Sequence, residues 1–203
     1  MNELDVERAL VEEWQAFADA AGADRDLAVT IVQTHGNRTT RPLLWAELED
    51  IRLAFADLRA SLDEPGAGTL ATTRWTVKDL VGHVASWATE LQRQIETIAA
   101  HEEFDYLITF TPRVGPTEWN ARELERRASM SLAERFRELD DATARTQELV
   151  LSLPDDVLFG DALLPQTADG RQETRWRTRL ADFIVMACAH YRYHLHRIHD
   201  VLP

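Results

Sequence analysis

The stretch Thr76-Val77-Lys78-Asp79-Leu80-Val81-Gly82-His83-Val84-Ala85-Ser86-Trp87-Ala88-Thr89-Glu90-Leu91 decides the fold. Thr76 followed three residues later by Asp79 is the aspartate form of a capping box, so a helix start is well defined there. From that start Leu80, Val84, Trp87, Leu91, Ile95 and Ile98 recur at alternating three- and four-residue steps. Such spacing gathers the apolar side chains into one stripe, the seam of helices that pack nearly parallel.

Three other segments repeat the pattern. Leu44, Leu48, Ile51, Phe55, Leu58 and Leu62 form one stripe, entered through Pro42 at a helix-start position. Leu132, Phe136, Leu139, Thr143, Thr146, Val150 and Leu153 form another, opened by the capping box Ser131 to Glu134 and closed by Pro154. The last runs Leu180, Ile184, Ala187, Tyr191, His194, Ile198. Four amphipathic helices predict an all-α chain built as a four-helix bundle.

The connections are long. Residues 101 to 130 hold a loop from Thr111 to Pro116 and a short helical stretch from Trp119 to Arg127, so the second and third bundle helices need not be antiparallel neighbours. Residues 155 to 175, with Gly160, Pro165 and Gly170, read as a second crossover connection. Upstream, Leu10, Trp14, Phe17 and Ala21 at helical spacing predict an extra N-terminal helix, docked on the bundle or on a partner subunit. An uncertain stretch, Leu27 to Val32, and a turn at His35-Gly36-Asn37-Arg38 follow it. The expected division is an N-terminal extension over 1–41 and a bundle over 42–203.

Composition narrows the function classes. The chain has 203 residues, 45% apolar and 28% charged, with only 8 Gly and 7 Pro, the profile of a helix-rich globular protein rather than a disordered one. Its net charge of −13 argues against a nucleic-acid partner. The nearest basic group, Arg122, Arg126 and Arg127, is interleaved with Glu123 and Glu125 and reads as a solvated helix face. A single cysteine, Cys188, excludes an internal disulfide, and the acidic N-terminus resembles no signal peptide; both suit a cytoplasmic protein. No apolar run reaches the ~18 residues of a membrane span. Lys78 is the single lysine and sits in a helix's first turn, where a surface role outweighs Schiff-base chemistry.

The residues with chemical promise are histidines. His190 and His194 are four apart, so on a helix they aim two imidazoles at one point, a pair able to hold a metal ion. His194 falls inside the apolar stripe and His190 at its margin. A transition metal takes three or four protein donors, and His83, at the margin of the second stripe, is the best third. His196 and His199 face away from the stripe, and His35 and His101 fall in or near loops. Glu90 and Gln94 lie on the His83 side of their helix, and Glu90 is the one candidate catalytic group, as a proton acceptor or a support for a ligand. Trp75, Trp87, Trp119 and Tyr191 fall at bundle-facing or helix-end positions, where they either pack the core or wall a pocket. Cys188, flanked by alanines and on the other side of its helix from His190, reads as a small core residue rather than a nucleophile.

The run from Trp75 to Trp87, with its Trp-Thr opening and His83, resembles the second-helix signature of the DinB-like superfamily. His190-x-x-x-His194 resembles that superfamily's fourth-helix pair, and Glu118-Trp119-Asn120-Ala121-Arg122-Glu123 the segment before its third helix. The resemblance covers roughly residues 42 to 200. It implies a divalent metal (zinc, nickel or iron) held by His83, His190 and His194, and a homodimer. It also implies membership of a group that includes thiol S-transferases and isomerases using mycothiol or bacillithiol. Mycothiol-dependent maleylpyruvate isomerases place a glutamate and a histidine on the fourth helix. This chain has histidine at both positions, nearer the bacillithiol-transferase pattern, while its arginine-rich usage favours a mycothiol-making host.

The function expected is therefore a metal-dependent thiol S-transferase, or a hydrolase, acting on a small electrophile. The alternative is a binding or sequestering stress protein whose metal is structural or absent. Neither reading includes a nucleic acid or a membrane as partner.

Overall fold

The structure is a computed structural model and describes residues 39–100, 116–166 and 174–202. The expected N-terminal helix, the turn at His35, the loop from Thr111 and His101 all lie outside the described residues. The elements in chain order are α1 (Arg41–Ser61), α2 (Glu64–Ala67), α3 (Val77–Ala99), α4 (Pro116–Arg126), α5 (Leu132–Ser152), α6 (Asp155–Phe159), strands β1 (Asp161–Gln166) and β2 (Thr174–Arg179), and α7 (Leu180–His199).

Each start follows from local chemistry. The Thr40 side chain accepts the Leu43 amide ahead of Pro42 in α1. The capping boxes Thr76/Asp79 and Ser131/Glu134 are both closed in the structure, opening α3 and α5. An N-cap hydroxyl of this kind contributes about 1 kcal/mol, by satisfying an amide that would otherwise lack a partner.

The four long helices form an all-α bundle. Its core takes Leu44, Leu48, Ile51, Phe55 and Leu58 from α1 and Leu80, Val84, Leu91 and Ile95 from α3. Phe136, Leu139 and Val150 of α5 and Leu180, Ile184, Tyr191 and Ile198 of α7 complete it. These are the stripe positions, and each such side chain contributes about 1.5–3 kcal/mol by leaving water. Trp87, also on a stripe, stays partly exposed, which bears on the site below.

Side-chain bonds fix the helix directions. Arg41, at the start of α1, donates to the Val150 and Leu153 carbonyls at the end of α5, so α1 and α5 are antiparallel. Arg135, at the start of α5, donates to the Lys78 carbonyl at 2.7 Å, while Arg145, near its end, reaches Glu96 at 3.1 Å. Helices α3 and α5 are therefore parallel neighbours, as a long crossover between them permits. Helix α7 runs antiparallel to α3, since His83 meets both His190 and His194 while Trp87 meets His190. Around the bundle the order is α1, α5, α3, α7, with an up-down-down-up course.

The structure departs from the sequence expectation at two places. The span 155–175 is more than an irregular connection: it holds α6 and most of an antiparallel hairpin, with Asp161 opposite Arg179 and Gln166 opposite Thr174. Pro165 is tolerated because both strands of a two-stranded ribbon are edges. Arg127 does not belong to a solvated face: its side chain is 2% exposed. It bonds Glu138 through Nε (2.8 Å) and Nη2 (2.5 Å) and Glu123 through Nη1 (2.5 Å). Arg122 and Arg126 are exposed as expected. Because Glu138 belongs to α5 and Glu123 to α4, Arg127 ties the crossover helix to the bundle. Among the described residues, no helix is long and apolar enough to cross a membrane.

Candidate metal centre

His83 lies two turns into α3, where Leu80 to Ser86 are all buried because α4, α5 and α7 cover the helix from several sides. The neighbouring Gly82 leaves room for a guanidinium: a Cβ there would sit 2.9 Å from Nη1 of Arg135. That group is held by the Lys78 and Arg127 carbonyls. On the facing helix, Arg192 lies between His190 and His194 in sequence and pairs with Glu47 of α1, which fixes the rotation of α7.

The three imidazoles converge. Nε2 of His190 stands 3.3 Å from Nε2 of His83 and 2.8 Å from Nε2 of His194. The ring centroids are 4.6 to 5.2 Å apart and the rings meet edge to face. One potential ligand atom from each histidine lies within 4.8 Å of the others. His83 is 3% and His194 8% exposed, while His190 is partly exposed.

Burial holds all three neutral. It lowers the His190 pKa to about 4. Burial, then the neighbouring His190, pushes His83 well below the usual histidine range. Burial, then His190, His83 and Arg197, does the same for His194. Neutral imidazole is the ligating form.

The donor set fits a cation. One Nε2 carries either a proton or a lone pair, so His190 cannot donate to both neighbours at once, and a hydrogen-bonded trio leaves a polar mismatch in a buried site. A cation at the common point would accept all three lone pairs. Tetrahedral zinc with Zn–N of about 2.05 Å needs nitrogens about 3.3 Å apart, close to the His83–His190 spacing; the His190–His194 spacing would open by about half an ångström. Ligation through Nε2 leaves a proton on each Nδ1, and those of His83 and His194 are buried without an acceptor among the described residues.

Aromatic rings enclose the triad. Trp75 packs on His83 at 4.8 Å, and Trp87 meets His190 edge-on at 5.6 Å and packs at a 56° tilt on Trp119 of α4 at 4.8 Å. Glu90 sits two turns beyond His83, held by Arg93 at 2.6 Å and Gln94 at 2.7 Å. Cys188 is fully buried, and burial first, then Glu47, pushes its thiol pKa up to about 12, against a nucleophilic role. His196 and His199 are exposed, as their positions off the apolar stripe predict.

A triad of neutral imidazoles on two antiparallel bundle helices, two of them buried, defines a class of bundle protein whose interior could hold a metal ion. The chain belongs to the mycothiol maleylpyruvate isomerase N-terminal domain family, a DinB-like domain whose model matches residues 48–185. That stretch includes His83 and ends before His190 and His194, so the pair rests on geometry. A crystal structure of an uncharacterised protein from Escherichia coli UTI89 has a similar fold, with a TM-score of 0.64 and 13% identity, covering 80% of this chain and 92% of that one. No curated protein matches the chain.

Proposed function

We propose that this protein is a metal-dependent enzyme of the thiol S-transferase type, in which His83, His190 and His194 hold a divalent ion, zinc, nickel or iron. The observation that carries this reading is the meeting of three neutral imidazoles, two buried and one partly exposed, at one point. Family membership supports mycothiol or another low-molecular-weight thiol as the co-substrate. The bound ion would supply Lewis acidity that favours the ionised thiol at neutral pH. In the transfer, sulfur bonds to an electrophilic carbon, the leaving group departs with its electron pair, and the thiol proton passes to solvent.

The residues of the chain do the rest. Among the described residues no fourth donor joins the three histidines, which would leave positions at a bound ion for the thiol and the electrophile. Trp75 packs against His83 and Trp87 against His190, and the Arg192–Glu47 pair holds the His190/His194 face in register. Glu90, paired with Arg93 at 2.6 Å, is the candidate proton acceptor. A cytoplasmic homodimer accompanies the proposal, checked by light scattering of the purified full chain.

Cobalt-substituted protein titrated with 2-mercaptoethanol, then with monobromobimane, tests the function. The expected result is a sulfur-to-cobalt charge-transfer band, and bimane conjugation faster than in a His83→Ala/His190→Ala/His194→Ala variant. A cobalt spectrum indifferent to thiol, with conjugation no faster than in the variant, would favour the sequestering alternative.

A further inference from the structure

We infer that the N-terminal segment of this same chain docks as a helix along the cleft between α1 and α5, with Leu10, Trp14, Phe17 and Ala21 turned into it. This stands independently of the function proposed for the triad. The cleft encloses about 490 Å³. Core side chains line it, Ile51 and Phe55 from α1 and Phe136 and Leu139 from α5, while Leu53 and Ala56 form an exposed lip.

The apolar surface extends beyond the cleft along the same seam. Leu53 is 55% exposed, and nearer the start of α1 Trp45 is 39% exposed, with Leu151 of α5 at 60%. The Gln147 side-chain amide donates to the Trp45 carbonyl at 3.2 Å, and Leu151 follows Gln147 by one helical turn. Trp45 and Leu151 therefore flank the line on which α1 meets α5. From Trp45 to Ala60 that line is about 22 Å long. A run of exposed apolar side chains over an open cleft marks a contact face.

Residues 1–38 fit this face in spacing, charge and reach. Leu10, Trp14, Phe17 and Ala21 stand at the i, i+4, i+7 and i+11 positions of a helix laid in a groove, and as a helix they span about 17 Å. A Trp and a Phe side chain bury about 150–250 Å² each when so seated. The stretch 1–21 carries Glu3, Asp5, Glu7, Glu12, Glu13 and Asp19 against one base, Arg8. Arg59 at the cleft is exposed and makes no ion pair among the described residues. Residues 22–38 stretch to at most about 60 Å, so the segment reaches every part of the seam. A short tether also holds it at a millimolar effective concentration, which lets modest contacts suffice. Because α1 and α5 lie across the bundle from the faces of α3 and α7 that carry the triad, the docked segment is a fifth bundle helix rather than a lid over the histidines.

Thiol accessibility in the full chain tests the inference. Ala56→Cys places a thiol on the lip, and the native Cys188, fully buried, reports whether the bundle stays intact. Maleimide labelling followed by mass spectrometry should find the introduced thiol about tenfold slower to react than in Ala56→Cys/Trp14→Ala/Phe17→Ala. Dilution should leave that ratio unchanged. Ala60→Cys repeats the measurement one turn on, and Trp14→Gln replaces the double aromatic change if Cys188 becomes reactive. Equal rates with and without the aromatic side chains would overturn the inference. Protection lost on dilution, together with a fall in size by light scattering, would also overturn it, because a second copy would then be the occupant of the cleft.

Discussion

Acidifying the metal-free protein should destabilise it through the triad, with a sign and size that follow from burial. A histidine whose folded pKa lies below its unfolded value binds more protons in the unfolded chain between the two values. For His190 the folded value is about 4 and the unfolded value about 6.5. Above pH 6.5 it contributes no pH dependence. Below that, stability falls by about 1.4 kcal/mol per pH unit, which is about 2 kcal/mol at pH 5 and about 3 kcal/mol at pH 4. His83 and His194 are displaced in the same direction, so their losses add. The assay is urea unfolding in the presence of a chelator at pH 7.5, 6.5, 5.5 and 5.0, comparing wild type with His83→Gln/His190→Gln/His194→Gln. The difference between the two isolates the triad from the carboxylates and the exposed histidines. Wild type should lose at least 2 kcal/mol more than the variant between pH 7.5 and 5.0. Parallel loss would refute the placement of three imidazoles held neutral by burial.

Three other outcomes follow from particular contacts. Cys188, buried and with its thiol pushed up to about 12, should resist a disulfide reagent at pH 8 until urea unfolds the chain; prompt labelling of native protein would show it accessible. Gly82→Ala places a Cβ 2.9 Å from Nη1 of Arg135 and 3.2 Å from its Cδ, so it should cost about 1–3 kcal/mol by urea unfolding; Gly82→Ala with Arg135→Met should recover part of this. Arg127→Met removes the buried cation shared by Glu138 and Glu123 and should cost about 3 kcal/mol, whereas Arg127→Met/Glu138→Met should cost less. A double variant no more stable than the single one would deny that the pair is coupled.

The bundle was legible because its signals are local and repeated. Capping boxes at Thr76 and Ser131 and stripes such as Leu44-Leu48-Ile51-Phe55 report on backbone amides and on burial, and both depend on a few neighbouring residues. The triad was legible to the extent that i,i+4 spacing places His190 beside His194; helix spacing alone left His83 at a margin, and packing on three sides buries it. Arg127 was misjudged because charge interleaving looks alike on solvated and docked helices, and its partner Glu138 lies on another element. The hairpin was masked by Gly160, Pro165 and Gly170, although Thr174-Arg175-Trp176-Arg177-Thr178-Arg179 alternates with a period of two, a strand signal. The packing of Trp87 on Trp119 had no signal in the sequence, since the crossover that brings α4 over α3 is a matter of tertiary path.

Metal content tests the central claim most directly. Protein purified without a nickel column and without chelators, beside the His83→Ala/His190→Ala/His194→Ala variant handled identically, is measured by elemental mass spectrometry. The account predicts about one divalent ion per chain in the wild type and its loss in the variant, with helicity by circular dichroism retained in both. Equal metal content in the two, or none in the wild type even after incubation with zinc, nickel and iron(II), would contradict it.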